Sequence, residues 1–203
     1  TPQTTYTLAL RGSCGAAFSN WSEAITFTTW ETPASLPYAT DFEIAEDNSA
    51  WHFTGTGSNV WAIGTATFAG DDEEGTSAYI SNNNGTSHAA SIGSFTMRYM
   101  WQDFDFGSGD DVYNLTFDWK CTGYLDGNDL FGGLVVVLQN QGDPMPTNGT
   151  FPDNDNIVAI LYGENAWTSA QIELPQVSGE KRLAFLAFGY TMSAEATTPA
   201  AID

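Results

Sequence analysis

From Tyr113 to Cys121 the chain alternates strictly. Tyr113, Leu115, Phe117, Trp119 and Cys121 fall on one face of a period-two pattern, and Asn114, Thr116, Asp118 and Lys120 on the other. Side chains of an extended strand point alternately to opposite faces, so the pattern predicts a strand with one face in a core and one in water. A little further on, LVVVL (134–138) is apolar at every position, the pattern of a strand covered on both faces. Similar runs predict strands at TYTLAL (5–10), AITFTT (24–29), IVAILY (157–162) and RLAFLAF (182–188). Less regular ones lie at ATDFEIA (39–45), NVWAIG (59–64), SAYISN (77–82) and SFTMRYM (94–100). No stretch sustains a helical period, and Gly, Asn, Asp, Ser and Thr fill the gaps. Half-wet and fully covered strands coexist most simply in two antiparallel sheets packed face to face. The expected fold is therefore an all-β, two-sheet sandwich.

Composition narrows the setting. The 203 residues are 42% hydrophobic and 14% aromatic, ample for a core. Five basic residues oppose 25 acidic ones, a formal net charge of -20. Such a field repels nucleic acid and anionic membranes, and neither is an expected partner. It does attract divalent cations. No apolar run approaches the roughly 20 residues of a membrane helix, so no membrane insertion is expected. The start, TPQTTYTLAL, lacks the basic and apolar regions of a signal peptide and reads as a mature fragment of a longer precursor. Cys121 points with the aromatic face toward the core, whereas Cys14 sits in a loop; spacing alone does not establish a bridge between them.

A boundary is expected near WETPASLP (30–37), where two prolines bracket small residues. Before it, TPQTTYTLALRGSCG and NWSEAITFTT resemble the last two strands of a fibronectin type III domain, with Tyr6 at the family's corner tyrosine. Residues 1–31 are thus expected to be a C-terminal remnant of such a domain. Residues 36–203 resemble the jelly-roll domains of secreted bacterial proteins known as choice-of-anchor J or cleaved adhesin domains. The matching pieces, in order, are LPYATDFE, the tryptophan of SAWHF, SAYISNN, YNLTFDWK, RLAFLAFGY and TPAAID. That resemblance implies a jelly-roll β-sandwich and an extracellular, surface-associated recognition module for glycan or protein, non-catalytic and part of a larger protein. An accessory spacer or stabilising domain of a secreted protease or glycosidase is the alternative.

Candidate chemistry is sparse. Asp126, Asn128 and Asp129 in DGND offer oxygen ligands but lack the spaced loop and distal Glu of a calcium site, and Asp-Gly and Asn-Asp are ordinary turn formers. DDEE (71–74) and DNDN (153–156) read the same way, as charged loops. Asp41 and Glu43 share one face of DFE. Jelly-roll modules commonly hold a structural calcium between their first and last strands, and by that resemblance Asp41, Glu43 and Asp203 would converge as its ligands. Exposed carboxylates on two edge strands are the competing reading.

With only His52 and His88, a multi-imidazole zinc site cannot be built, and no G-x-S-x-G elbow occurs. No enzyme activity is expected. For sugar recognition the densest aromatic group is RYMWQDFDF (98–106), where Tyr99, Trp101 and Asp103 share one side of an extended chain. These three are the expected ligand-binding residues. Trp51, Trp61 and Trp167 are further candidates, and NNNGTSH (82–88) could add polar contacts.

Overall fold

The computed structural model describes residues 2–55, 58–68, 75–91, 93, 95–109, 111–126, 129–146, 150–174, 176–190 and 198–203. The chain divides into two compact units, Thr1–Pro33 and Ala34–Asp203.

In the first unit β1 (Thr5–Leu8) pairs antiparallel with β4 (Ile25–Thr28), and β2 (Ser13–Cys14) pairs with β3 (Ala17–Phe18). Tyr6 lies opposite Phe27, and their rings stack at 5.7 Å. The Arg11 guanidinium lies over Phe18 and Trp21, 4.0 and 4.6 Å from the ring centroids. All four residues of β1 and all four of β4 remain exposed.

The second unit begins with β5 (Ala34–Ser35), the short helix α1 (Ala45–Asn48), β6 (His52–Phe53), β7 (Val60–Gly64) and β8 (Ser77–Ser81). The long strands follow: β9 (Phe95–Asp105), β10 (Tyr113–Cys121), β11 (Tyr124–Asp126) and β12 (Asp129–Asn140). Then come β13 (Ile157–Leu161), β14 (Glu164–Leu174), β15 (Glu180–Tyr190) and β16 (Ala201–Ile202). One sheet runs β14-β10-β16-β8-β7. The other runs β11-β12-β15-β9-β5, with β13 also on β12 and β6 also on β9. Only β5 on β9 is a parallel pairing among the described residues. From β8 to β10 and again from β13 to β16 the chain steps from one sheet to the other. The result is the all-β antiparallel sandwich that the patterning predicts, with jelly-roll-like crossing between layers.

The alternation in β10 works as expected. Tyr113, Leu115, Phe117, Trp119 and Cys121 all join the inter-sheet core, where they meet Met100, Leu134, Val136, Leu183 and Phe185 from the facing sheet. Phe117 and Phe185 touch edge to face across the interface, with centroids 5.2 Å apart. The continuous strand at 134–138 is covered on both sides. Leu134 and Val136 face the inter-sheet core, while Val135 and Val137 join Tyr99, Ala184 and Leu186 in a second cluster on the outer face of the larger sheet. Met145 and Ile157 pack on that cluster, and Phe151 packs edge to face on Phe188 nearby.

Two expectations about elements need correcting. Residues 39–45 form no strand. Thr40 Oγ1 accepts the Phe42 N–H and Asp41 Oδ1 accepts the Glu43 N–H, local bonds that compete with an extended chain. Phe42 adopts φ 57°, which turns the chain and drops its ring into the core beside Trp51, with centroids 6.0 Å apart. The eleven-residue strand β14, conversely, has no counterpart among the predicted strands. Around DGND, β11 and β12 pair with Asp126 opposite Asp129, a hairpin register that agrees with the turn reading. Gly127 and Asn128 themselves lie outside the described residues.

Candidate functional site

The expected aromatic patch does share one side of β9, but the fold covers it. Tyr99 is 1% exposed and belongs to the second cluster, where burial pushes its phenol up to about 12. Its backbone is clasped by Thr54, whose N–H donates to the Tyr99 carbonyl and whose Oγ1 accepts the Tyr99 N–H. Trp101 is half-buried: His52 stacks against its ring at 5.2 Å, and the Arg182 guanidinium lies 5.5 Å from its centroid. Asp103 accepts from Arg182 Nε at 2.8 Å and Nη2 at 3.1 Å, and from Gln141 Nε2 at 3.2 Å. The carboxylate is thus spent on an internal ion pair, and Tyr99 offers no ring to solvent.

Nor do the three acidic candidates converge. The Asp41 carboxylate closes the turn to Glu43, and the Glu43 carboxylate is bonded by the N–H and hydroxyl of Thr76. Asp203 is held by its backbone beside Asp118. Among the described residues no three His, Cys, Asp or Glu side chains group as ligands for a metal ion. Asp41, Glu43 and Asp203 thus form no such three-carboxylate group. The DDEE run (71–74) lies outside the described residues. Asn154–Asn156 of DNDN form a single 3-10 turn.

His88 and Cys121 are both enclosed. His88 donates from Nε2 to the Pro199 carbonyl at 2.9 Å and packs edge-on to Tyr79. Burial lowers its pKa to about 4, so it is neutral at pH 7. Its loop is ordered by its own side chains: Ser81 Oγ accepts the Gly85 N–H, Asn83 Oδ1 accepts the Ser87 N–H, and the Tyr79 hydroxyl donates to Gly85 O. Cys121 is buried, which pushes its thiol up to about 12. Cys14 is exposed, and both cysteines are free.

Two features remain open to solvent. The first is the outward face of β10 and β14. Successive outward residues on β10 are Asn114, Thr116, Asp118 and Lys120; opposite the first three on β14 stand Glu173, Gln171 and Ser169, and Trp167 follows them on the same side of β14. Trp167 is half-buried, and its Nε1–H donates to the Thr67 carbonyl. The Lys120 ammonium sits 4.4 Å from the Trp167 ring centroid and donates to the same carbonyl, with its pKa lowered by burial. Ser169 donates its hydroxyl to Asp118 Oδ1 at 2.5 Å. A positioned indole thus stands in a row of hydroxyl, amide, carboxylate and ammonium groups. Trp51 and Trp61, by contrast, are buried.

The second is a cavity of about 350 Å³ at the end of the sandwich where β10 begins. Its walls are mainly apolar and rich in aromatic rings, among them Tyr38, Phe42, Trp51, Phe104, Tyr113 and Phe117. The Tyr38 hydroxyl and the Trp51 Nε1–H are buried there, with no hydrogen-bond partner among the described residues. Neither feature was singled out by sequence reasoning, although Trp167 was named among the candidates. The signal for the first lay in the alternation of β14, diluted by small residues.

No family model matches the chain, and no curated protein matches it. Among solved structures it is similar to the enzymatically active domain of tailspike protein 4 of bacteriophage CBA120, at 14% identity and a TM-score of 0.44, over 76% of this chain and 18% of that one. It is also similar to the K1 cleaved adhesin domain of Lys-gingipain from Porphyromonas gingivalis W83, at 19% identity and a TM-score of 0.45, over 76% of this chain and 86% of that one. An arabinose-bound α-L-arabinofuranosidase matches at 14% identity and a TM-score of 0.41, over 78% of this chain and 23% of that one. This chain therefore spans less than a quarter of the tailspike and arabinofuranosidase chains it matches.

Proposed function

We propose that the Ala34–Asp203 unit is a non-catalytic, extracellular recognition module of a larger secreted or surface-attached protein, and that it takes a neutral glycan on the outward face of β10 and β14. The observation that carries this reading is the row around Trp167. A sugar ring presents C–H groups on one face and hydroxyls at its rim. An indole held by its own N–H, flanked by the Asp118 carboxylate, the Gln171 amide and the Ser169 hydroxyl, complements both. A rigid sheet holds these groups in place, which limits the ordering cost of binding. The net charge of -20 disfavours acidic glycans and leaves neutral or basic ones.

The test is a glycan array probed with the full chain and with Trp167→Ala and Gln171→Ala. Binding to neutral glycans that is lost on Trp167→Ala and weakened on Gln171→Ala, with unchanged melting temperatures, supports the reading. Silence across the array, or equal binding by Trp167→Ala, overturns it.

A further inference from the structure

Strand β7 lies at one edge of the five-stranded sheet and β14 at the other. Strand β7 ends at Gly64, yet three residues later the Thr67 carbonyl accepts from Lys120 of β10 and from Trp167 of β14. Both donors are outward residues. The chain therefore leaves β7 and crosses the outward side of β8 and β16 to reach them. It forms a bank across the row of polar residues at its Trp167 end. Beyond the bank the row is open: Thr116, Ser169, Gln171 and Glu173 are exposed, whereas Lys120 and Trp167 are half-buried.

The residue after that doubly held carbonyl is Phe68. Its backbone adopts φ 58°, a left-handed conformation that is an outlier for a bulky side chain. Among the described residues Phe42 is the only other aromatic one with positive φ, and there burial of the ring against Trp51 offsets the cost. Phe68 has no such compensation. Its side chain is 48% exposed and joins neither apolar cluster. Backbone strain that packing does not offset is characteristic of ligand clamps and other functional positions. The two bonds to Thr67 fix the strained turn. They hold an exposed aromatic residue at the bank, next in sequence to the carbonyl that the Trp167 indole is tied to.

We propose that Phe68 is a second stacking residue, and that Phe68 and Trp167 together receive the terminal ring of a linear, unbranched neutral glycan. The proposal rests on the glycan reading of the Trp167 row. Aromatic side chains supply large contact area at low conformational cost, and two of them at one end of the row make that end the anchor. The bank stops the ligand there, which selects a chain terminus over an internal segment and leaves no room for a branch beside it. Succeeding units lie along β14 against Ser169, Gln171 and Glu173, with Thr116 opposite Gln171. From Trp167 to Glu173 the strand rises about 20 Å, enough for several linked rings.

The test is isothermal titration calorimetry of the full chain with linear gluco-, manno- and xylo-oligosaccharides of two to six units, repeated with Phe68→Asn. Asparagine tolerates the left-handed conformation but has no ring, so it removes the stacking surface and leaves the turn. The expected result is an affinity that climbs between two and four units and is about fivefold weaker in Phe68→Asn, with a melting temperature no lower than that of the parent. A bulky fluorophore on one end of the sugar should abolish binding, and the same label on the other end should not. Equal affinities for the parent and Phe68→Asn overturn the role of Phe68 and leave the Trp167 reading standing. A lowered melting temperature for Phe68→Asn also overturns it, because the ring would then serve packing. Affinity that does not change with length, or binding that survives a label on either end, overturns the terminal, linear mode. No binding of any of these sugars by the parent defeats the glycan reading and this inference together.

Discussion

Arg182 and Asp103 face each other across the β15–β9 ladder and form a two-armed ion pair, Nε to Oδ1 at 2.8 Å and Nη2 to Oδ2 at 3.1 Å. The pair sits at the rim of the second apolar cluster. Its side chains are 9% and 12% exposed, and Arg182 Nη1 also donates to the Asp143 carbonyl. An ion pair this enclosed anchors the segment after β12 to the outer face of the larger sheet. That role leaves Asp103 little freedom to meet a ligand.

Removing one partner should therefore be costly. Asp103→Ala strands a guanidinium in a confined site and is expected to destabilise by about 3 kcal/mol. The double variant Asp103→Leu/Arg182→Met should recover most of that loss, because an apolar pair needs no desolvated charge. Urea unfolding midpoints check both. An Asp103→Ala midpoint equal to that of the parent would show that the pair contributes nothing.

The outer cluster should behave as core. Leu186, in that cluster, and Leu134, between the sheets, are each 0% exposed. Leu186→Ala and Leu134→Ala are each expected to cost about 2–5 kcal/mol. A much smaller loss for Leu186→Ala, measured by the same unfolding assay, would mean that the outer layer is loosely packed.

His88 should impose a pH dependence on stability. Its folded pKa of about 4 lies below the ordinary 6.5, because burial disfavours the charged ring. The unfolded chain binds the proton more readily, so the contribution is fully present above pH 6.5 and is lost as pH falls to 4. Its full size is on the order of 3 kcal/mol. Melting curves of the parent and His88→Gln between pH 7 and pH 4 should converge in acid. Parallel curves would exclude the buried neutral ring as a source of pH sensitivity.

Thiol reactivity should separate the two cysteines. Cys14 is exposed, whereas Cys121 is enclosed with its pKa pushed up to about 12. The thiolate is the reactive form, so one thiol should react quickly with a disulfide reagent at pH 8 and the second only after denaturant is added. Two fast equivalents in the native protein would contradict the burial of Cys121. None would point to a bridge.

The strands most legible in the sequence are those whose two faces differ most. The match of β10 to 113–121 rests on four large apolar residues and a cysteine against four polar ones. The apolar run at 134–138 announced its double burial for the same reason, because every position must find cover. Strand β14 was hidden. Its inward residues near the middle are Ala170 and Ile172, and small or polar residues surround them, so the alternation carries little contrast. Residues 39–45 misled in the opposite way. They alternate as a strand does, but Thr40 and Asp41 bond to the backbone two residues on and turn the chain at Phe42.

For the candidate site the division is sharper. Periodicity placed Tyr99, Trp101 and Asp103 on one side of β9, and they lie there. It could not say that Val135, Val137 and Leu186 would surround Tyr99, or that Arg182 would claim Asp103.

By itself the sequence determined which way side chains point, because direction along an extended chain is a local property with a fixed period of two. It thereby set the all-β class, the core face of β10 and the acidic surface. Only the tertiary structure decided which rings are enclosed and which carboxylates are already bonded. Those are properties of neighbours brought together from distant parts of the chain, and no spacing within a single strand encodes them.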